Sequence, residues 1–121
     1  MKKILITTFI IIALFSLAVS AQENSEKKKI DFLIYSVENL KGAKFIRNNT
    51  EYGSTDAAKH LRMKLEKAGN HVRTADDFIR LCASQSYVTG SPYMIKYSDG
   101  KTITSEKYLR EKLKEYNSNV K

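Results

Sequence analysis

The sequence predicts an α+β domain of about four helices packed with a small antiparallel sheet of short hairpins. Apolar residues recur at helical spacing in four segments, and two tight-turn dipeptides, Asn48-Asn49 and Asp99-Gly100, each separate two strand-like runs. No internal repeat or linker divides the chain.

The elements follow in order. Ile30, Leu33, Ile34, Val37 and Leu40 form one face of an amphipathic helix that Gly42 ends. Phe45–Arg47 and Thr50–Tyr52 flank Asn48-Asn49, and asparagine tolerates the left-handed backbone that a tight hairpin requires. Ser54 is expected to cap a second helix with Asp56 in its first turn, running to about Ala68 and stopping at Gly69-Asn70. Its Ala57, Ala58, Leu61, Leu65 and Ala68 fall within an arc of about 100°, wide enough to face a core. A third helix opens at Thr74, where Asp77 stands in for the usual Glu of a capping box, with Ala75, Phe78, Ile79 and Cys82 inward. Ser84 to Pro92 reads as a hydroxyl-rich loop. Tyr93–Tyr97 and Lys101–Thr104 pair as strands, and Ser105 is expected to cap a last helix through Tyr116.

The N-terminus has the pattern of a cleavable export signal. Lys2 and Lys3 precede an uncharged run, Ile4–Val19, of 16 residues, shorter than the roughly 20 that span a bilayer. Small residues in Val19-Ser20-Ala21 offer a cleavage site. The expectation is therefore a leader at 1–21, a frayed segment at 22–29, a single domain at 30–117 and a loose tail at 118–121. No cysteine at the junction provides for a lipid anchor, and no second apolar run forms a span. The product is expected to be periplasmic or secreted.

Removing Lys2 and Lys3 takes Lys plus Arg from 21 to 19 against 13 acids, so the net charge falls from +8 to +6. An exported protein of that charge meets anionic lipid head groups and envelope polymers rather than nucleic acid. The basic residues are dispersed among acids, as on a solvated surface of a monomer or weak dimer. One cysteine cannot form an internal disulfide, and two histidines and one cysteine far apart supply no metal-ligand spacing. A domain of this size has little room for an enclosed cofactor, so none is expected.

Candidates for chemistry are sparse. His60 and Arg62 fall at the two edges of the second helix's apolar face; histidine suits a general base and arginine an anion clamp, but no third group follows by spacing. Cys82 lies mid-face on its helix, the position of a small buried hydrophobe rather than a reactive thiol. Ser84, Ser86, Thr89 and Ser91 offer hydroxyls, none within a nucleophile elbow or a Ser-x-x-Lys pair.

Several strings carry a family resemblance. They are Phe45-Ile46-Arg47-Asn48-Asn49, Ala57-Ala58-Lys59-His60-Leu61-Arg62-Met63-Lys64, Thr74-Ala75-Asp76-Asp77-Phe78-Ile79, Ala83-Ser84-Gln85-Ser86 and Thr89-Gly90-Ser91-Pro92-Tyr93. Together they resemble the YfeK-like family of small exported bacterial proteins, a domain of unknown function, over about residues 30–115. Asn49 stands where that pattern usually has glycine. The resemblance implies no activity, but it nominates Arg47, Asn48, His60, Arg62, Lys64, Ser84, Ser86 and Tyr93, which match its motifs. They form either one polar site or a buried network that fixes the fold. The expected function is a non-enzymatic binding or interaction module of the cell envelope, engaging an envelope protein or anionic polymer. The alternative is a small hydrolase or transferase using His60 with Ser84, Ser86 or Cys82.

Overall fold

A computed structural model describes the backbone of residues 2–120 and the side chains of residues 20–120. The apolar leader run therefore lies outside the described side chains. In chain order the elements are α1 (Lys2–Glu38), β1 (Lys44–Arg47), β2 (Thr50–Tyr52), α2 (Ser54–Ala68), a single 3-10 turn (Gly69–His71), α3 (Ala75–Cys82), β3 (Met94–Lys96), β4 (Thr102–Thr104) and α4 (Ser105–Asn119). This is the expected α+β architecture. Among the described residues no helix is long and apolar enough to cross a membrane.

Both hairpins form where the turn dipeptides place them. Asn48 and Asn49 both adopt positive φ, 51° and 66°, the geometry of a two-residue turn whose twist matches its strands. Phe45 thereby faces Tyr52, and Arg47 faces Thr50. The two hairpins then join: β1 pairs antiparallel with β3, setting Phe45 opposite Ile95, and the sheet order is β2-β1-β3-β4. One face of that sheet is covered by helices. Leu33, Ile34 and Val37 of α1 meet Phe78, Ile79 and Cys82 of α3, together with Phe45, Ile95 and Leu109. Tyr108 belongs to the same core; its hydroxyl donates to the Ser36 carbonyl, and burial pushes its phenol up to about 12.

The third helix starts as its sequence predicts. Thr74 Oγ1 accepts from the Asp77 N–H at 3.0 Å while the Asp77 carboxylate accepts from the Thr74 N–H at 3.2 Å. Thr74→Ala removes the acceptor of the Asp77 N–H in the first turn and is expected to cost about 1 kcal/mol, read as a lower urea midpoint at unchanged m-value.

Two helix-cap expectations are corrected. Ser54 does not cap α2: its Oγ donates to the Leu40 carbonyl at 2.6 Å, tying the helix start to the end of α1, and Gly53 takes the cap position. Ser105 does not cap α4 either; it is buried, and Thr104 Oγ1 accepts from the Lys107 N–H. Residues 22–29 continue α1. Glu26 accounts for this, since its carboxylate pairs with Lys29 at 2.8 Å and accepts the Ala75 N–H at 3.0 Å. That N–H is one of the orphan donors at the start of α3, where a negative charge is favoured. Burial alone would raise the Glu26 carboxyl, but the Lys29 and Ala75 contacts bring it below its ordinary value. The last helix also extends past Tyr116 into the expected tail, to Asn119.

Candidate functional site

Strand alternation decides which polar groups turn inward. Arg47 lies two residues from the buried Phe45, so it shares the helix-covered face of β1, and Tyr52 joins it from β2 by register. On α2, His60 and Lys64 are four residues apart and therefore share one helix face. Tyr93 comes in just ahead of β3. These side chains line one cleft over a cavity of about 50 Å³, with Val37, Ala57, Leu61, Ala83 and Leu109 among its apolar walls.

The cleft's polar atoms are organised by tyrosines. The Lys64 ammonium hydrogen-bonds the Tyr93 hydroxyl and lies 4.5 Å from the Tyr93 ring centroid and 5.2 Å from that of Tyr87. Arg47 stacks over Tyr52 at 5.5 Å and donates weakly to its hydroxyl at 3.5 Å. Tyr52 in turn meets His60 edge to face at 5.1 Å. Neither Arg47 nor Lys64 forms an ion pair with a carboxylate among the described residues, whereas Arg62, Arg80 and Arg110 all do. Two half-buried cations thus share one cleft with aromatic faces and no counter-charge, an arrangement that favours an anion.

His60 lines the same cleft, and its buried Nδ1 has no hydrogen-bond partner among the described residues. Burial pushes its imidazole below the ordinary value, Arg47, Lys64 and Lys59 push the same way, and only Asp56 opposes them. At neutral pH the ring is therefore uncharged, with one nitrogen free to accept a proton donor. A base whose folded-state pKa is depressed contributes full stability above its unfolded value. Stability should then fall as pH drops from about 6.5 through the lower folded value. The melting temperature measured from about pH 7 down to pH 5 should decline in the wild type, with a shallower slope in His60→Gln.

The remaining nominated residues do other work. Asn48 Nδ2 donates to Ser86 Oγ at 3.3 Å and its Oδ1 accepts from Thr89 Oγ1 at 2.7 Å. Ser86, which is buried, also accepts from the Val88 N–H. This network clamps the first hairpin to the loop before β3. Ser84 Oγ donates to the Ile79 carbonyl at 2.6 Å, closing the end of α3. Arg62 leaves the cleft altogether and pairs with Glu38 of α1 at 2.7 Å. Cys82 is fully buried, and burial raises its thiol above the ordinary value while Lys64 opposes the shift. None of the hydrogen bonds made by Ser84 or Ser86 goes to His60, so the nucleophile–base contact that covalent catalysis uses is not assembled. Among the described residues no cluster of His, Cys, Asp or Glu is able to hold a metal ion.

Sequence reasoning missed Tyr52 as part of the cleft and Tyr87 as a neighbour of Lys64. Tyr52 was accessible through the hairpin register, which sets it opposite Phe45. Tyr87 sits on an irregular loop, and no periodicity signals its place.

The model of a family of unknown function, DUF5329, matches residues 24–117. The chain belongs to this family. DUF5329 thus spans every element that builds the cleft. In line with the motif resemblance, the chain is also 34% identical over 94 residues to the uncharacterized protein YfeK of Salmonella typhimurium, covering 77% of each chain. No solved structure matches this DUF5329 chain significantly.

Proposed function

We propose that the protein is exported and serves in the cell envelope as a binding module, with the Arg47–His60–Lys64 cleft receiving an anionic group of its ligand. The observation that carries this reading is the convergence of two cations without carboxylate partners on one apolar-walled cavity. Elsewhere on this basic surface Arg62, Arg80 and Arg110 are paired with neighbouring acids, whereas the two cleft cations are held by tyrosine hydroxyls. Export is supported by the leader pattern, and the family match beginning at residue 24 falls beyond the expected cleavage point.

A photocrosslinking residue in place of the exposed Tyr87, whose ring lies beside Lys64, tests the reading in intact cells. A discrete adduct that disappears when Lys64 is changed to Met supports it. The absence of any discrete adduct, or an adduct indifferent to that change, would overturn it. The hydrolase alternative has no comparable observation behind it, since His60 Nδ1 has no hydrogen-bond partner among the described residues.

A further inference from the structure

Resting on that reading, we propose that the cleft recognises the free carboxyl end of an N-acylated small amino acid, such as a chain terminating in alanine. Three features of such an end meet three features of the cleft. The carboxylate is placed for Arg47 and Lys64, which have no acid of their own. The small side chain suits the apolar cavity below. The amide N–H suits His60, whose unpartnered Nδ1 belongs to a ring lining the same space.

Size is the most discriminating of the three. A dry apolar cavity known to bind benzene has a volume of about 150 Å³, whereas this one is about 50 Å³. It accommodates a methyl group or a short branch and excludes an aromatic ring. The walls are mostly apolar (Val37, Ala57, Leu61, Ala83 and Leu109), with Ser105 adding one hydroxyl, so an alkyl group fits better there than a shell of water. His60 supplies the remaining selectivity. Burial first, then the charges of Arg47, Lys64 and Lys59 against Asp56, hold the ring neutral, and its partnerless buried Nδ1 is left to meet an amide N–H. A bare inorganic anion uses only the cations and leaves both the cavity and the acceptor unsatisfied.

Two sources provide this chemistry in an envelope: the C-terminus of a protein, with an L residue, and a cell-wall peptide ending in a D residue. Heteronuclear NMR titration of the purified protein separates them. The probes are N-acetyl-L-alanyl-L-alanine, N-acetyl-D-alanyl-D-alanine, the corresponding C-terminal amides, N-acetylphenylalanine, isobutyrate and inorganic phosphate. At least one acetyl-dialanine should bind tenfold or more tighter than its amide, than N-acetylphenylalanine and than isobutyrate, with shifts centred on His60, Lys64 and Ala83. Preference for the D form assigns a wall peptide, and preference for the L form a protein tail. Equal binding of N-acetylphenylalanine or of isobutyrate overturns the inference while leaving the anion cleft standing. Absence of shifts in the cleft with every probe, phosphate included, overturns both. Ala57→Val, which narrows the cavity, should weaken the acetyl-dialanine at least tenfold. Its far-UV circular dichroism reports whether the fold is kept, and the probe series in the wild type decides the question if it is not.

Discussion

Phe78→Ala is expected to destabilise the protein by about 3–5 kcal/mol, among the largest effects available to a single substitution in this fold. Phe78 is the largest of the fully buried side chains, and α3, which carries it, packs against α1, α2 and α4. Truncation removes a ring from the junction of all three helices and leaves a cavity that rigid neighbours fill only in part. A domain of this size is commonly stable by about 5–15 kcal/mol, so the variant should retain a small margin or unfold at ambient temperature. Urea unfolding followed by circular dichroism gives the comparison. Tyr35→Ala, at a site 60% exposed, should shift stability by no more than about 0.5 kcal/mol. A Phe78→Ala loss no greater than that of Tyr35→Ala would contradict the described core.

Lys64→Met should produce the largest effect on binding. Lys64 is tied to Tyr93 and lies near two aromatic rings, which position its ammonium at the cleft with little freedom left to lose. Hydrogen bonds to charged groups contribute about 1.5–3 kcal/mol each, so removing this one should weaken an anionic ligand roughly ten- to hundredfold. Methionine keeps much of the stem's apolar packing, and the fold should survive. Arg62→Met provides the control. Its guanidinium is paired with Glu38 outside the cleft, and its loss should leave affinity within about twofold, since screened surface charges contribute little. Calorimetric titration of the two variants against one anionic ligand would show the difference, and equal losses would mean that general surface charge, not the cleft, holds the ligand.

Much of this architecture was legible because it is local. The helical repeat of Leu33, Ile34 and Val37, the Asn48-Asn49 turn and the Thr74–Asp77 capping box each depend on residues a few positions apart. What escaped was set by distant parts of the chain. Ser54 and Ser105 have the residue type of helix caps, but tertiary partners claim them: Ser54 reaches Leu40, and Ser105 is buried with its N–H on the Tyr93 carbonyl. Glu26 orders 22–29 through a contact with Ala75 that no window of sequence contains. The pairing of β1 with β3 likewise joins segments about 50 residues apart. For the site, helical spacing put His60 and Arg62 at opposite rims of α2 without saying which rim meets the sheet. The fold answers that: His60 turns to Arg47 and Tyr52, and Arg62 to α1.

The central claim is that Arg47, His60 and Lys64 form one anion-binding cleft rather than three stretches of a diffuse basic surface. Titration of the isotopically labelled protein with inorganic phosphate, following Arg47 Nε–H, the His60 ring and Lys64 Nζ together, tests it most directly. The three signals should move in concert along one binding curve, while the exposed Lys44, Lys101 and Lys107 stay nearly still. Equal movement across the surface lysines, with no saturable response from the cleft, would contradict it.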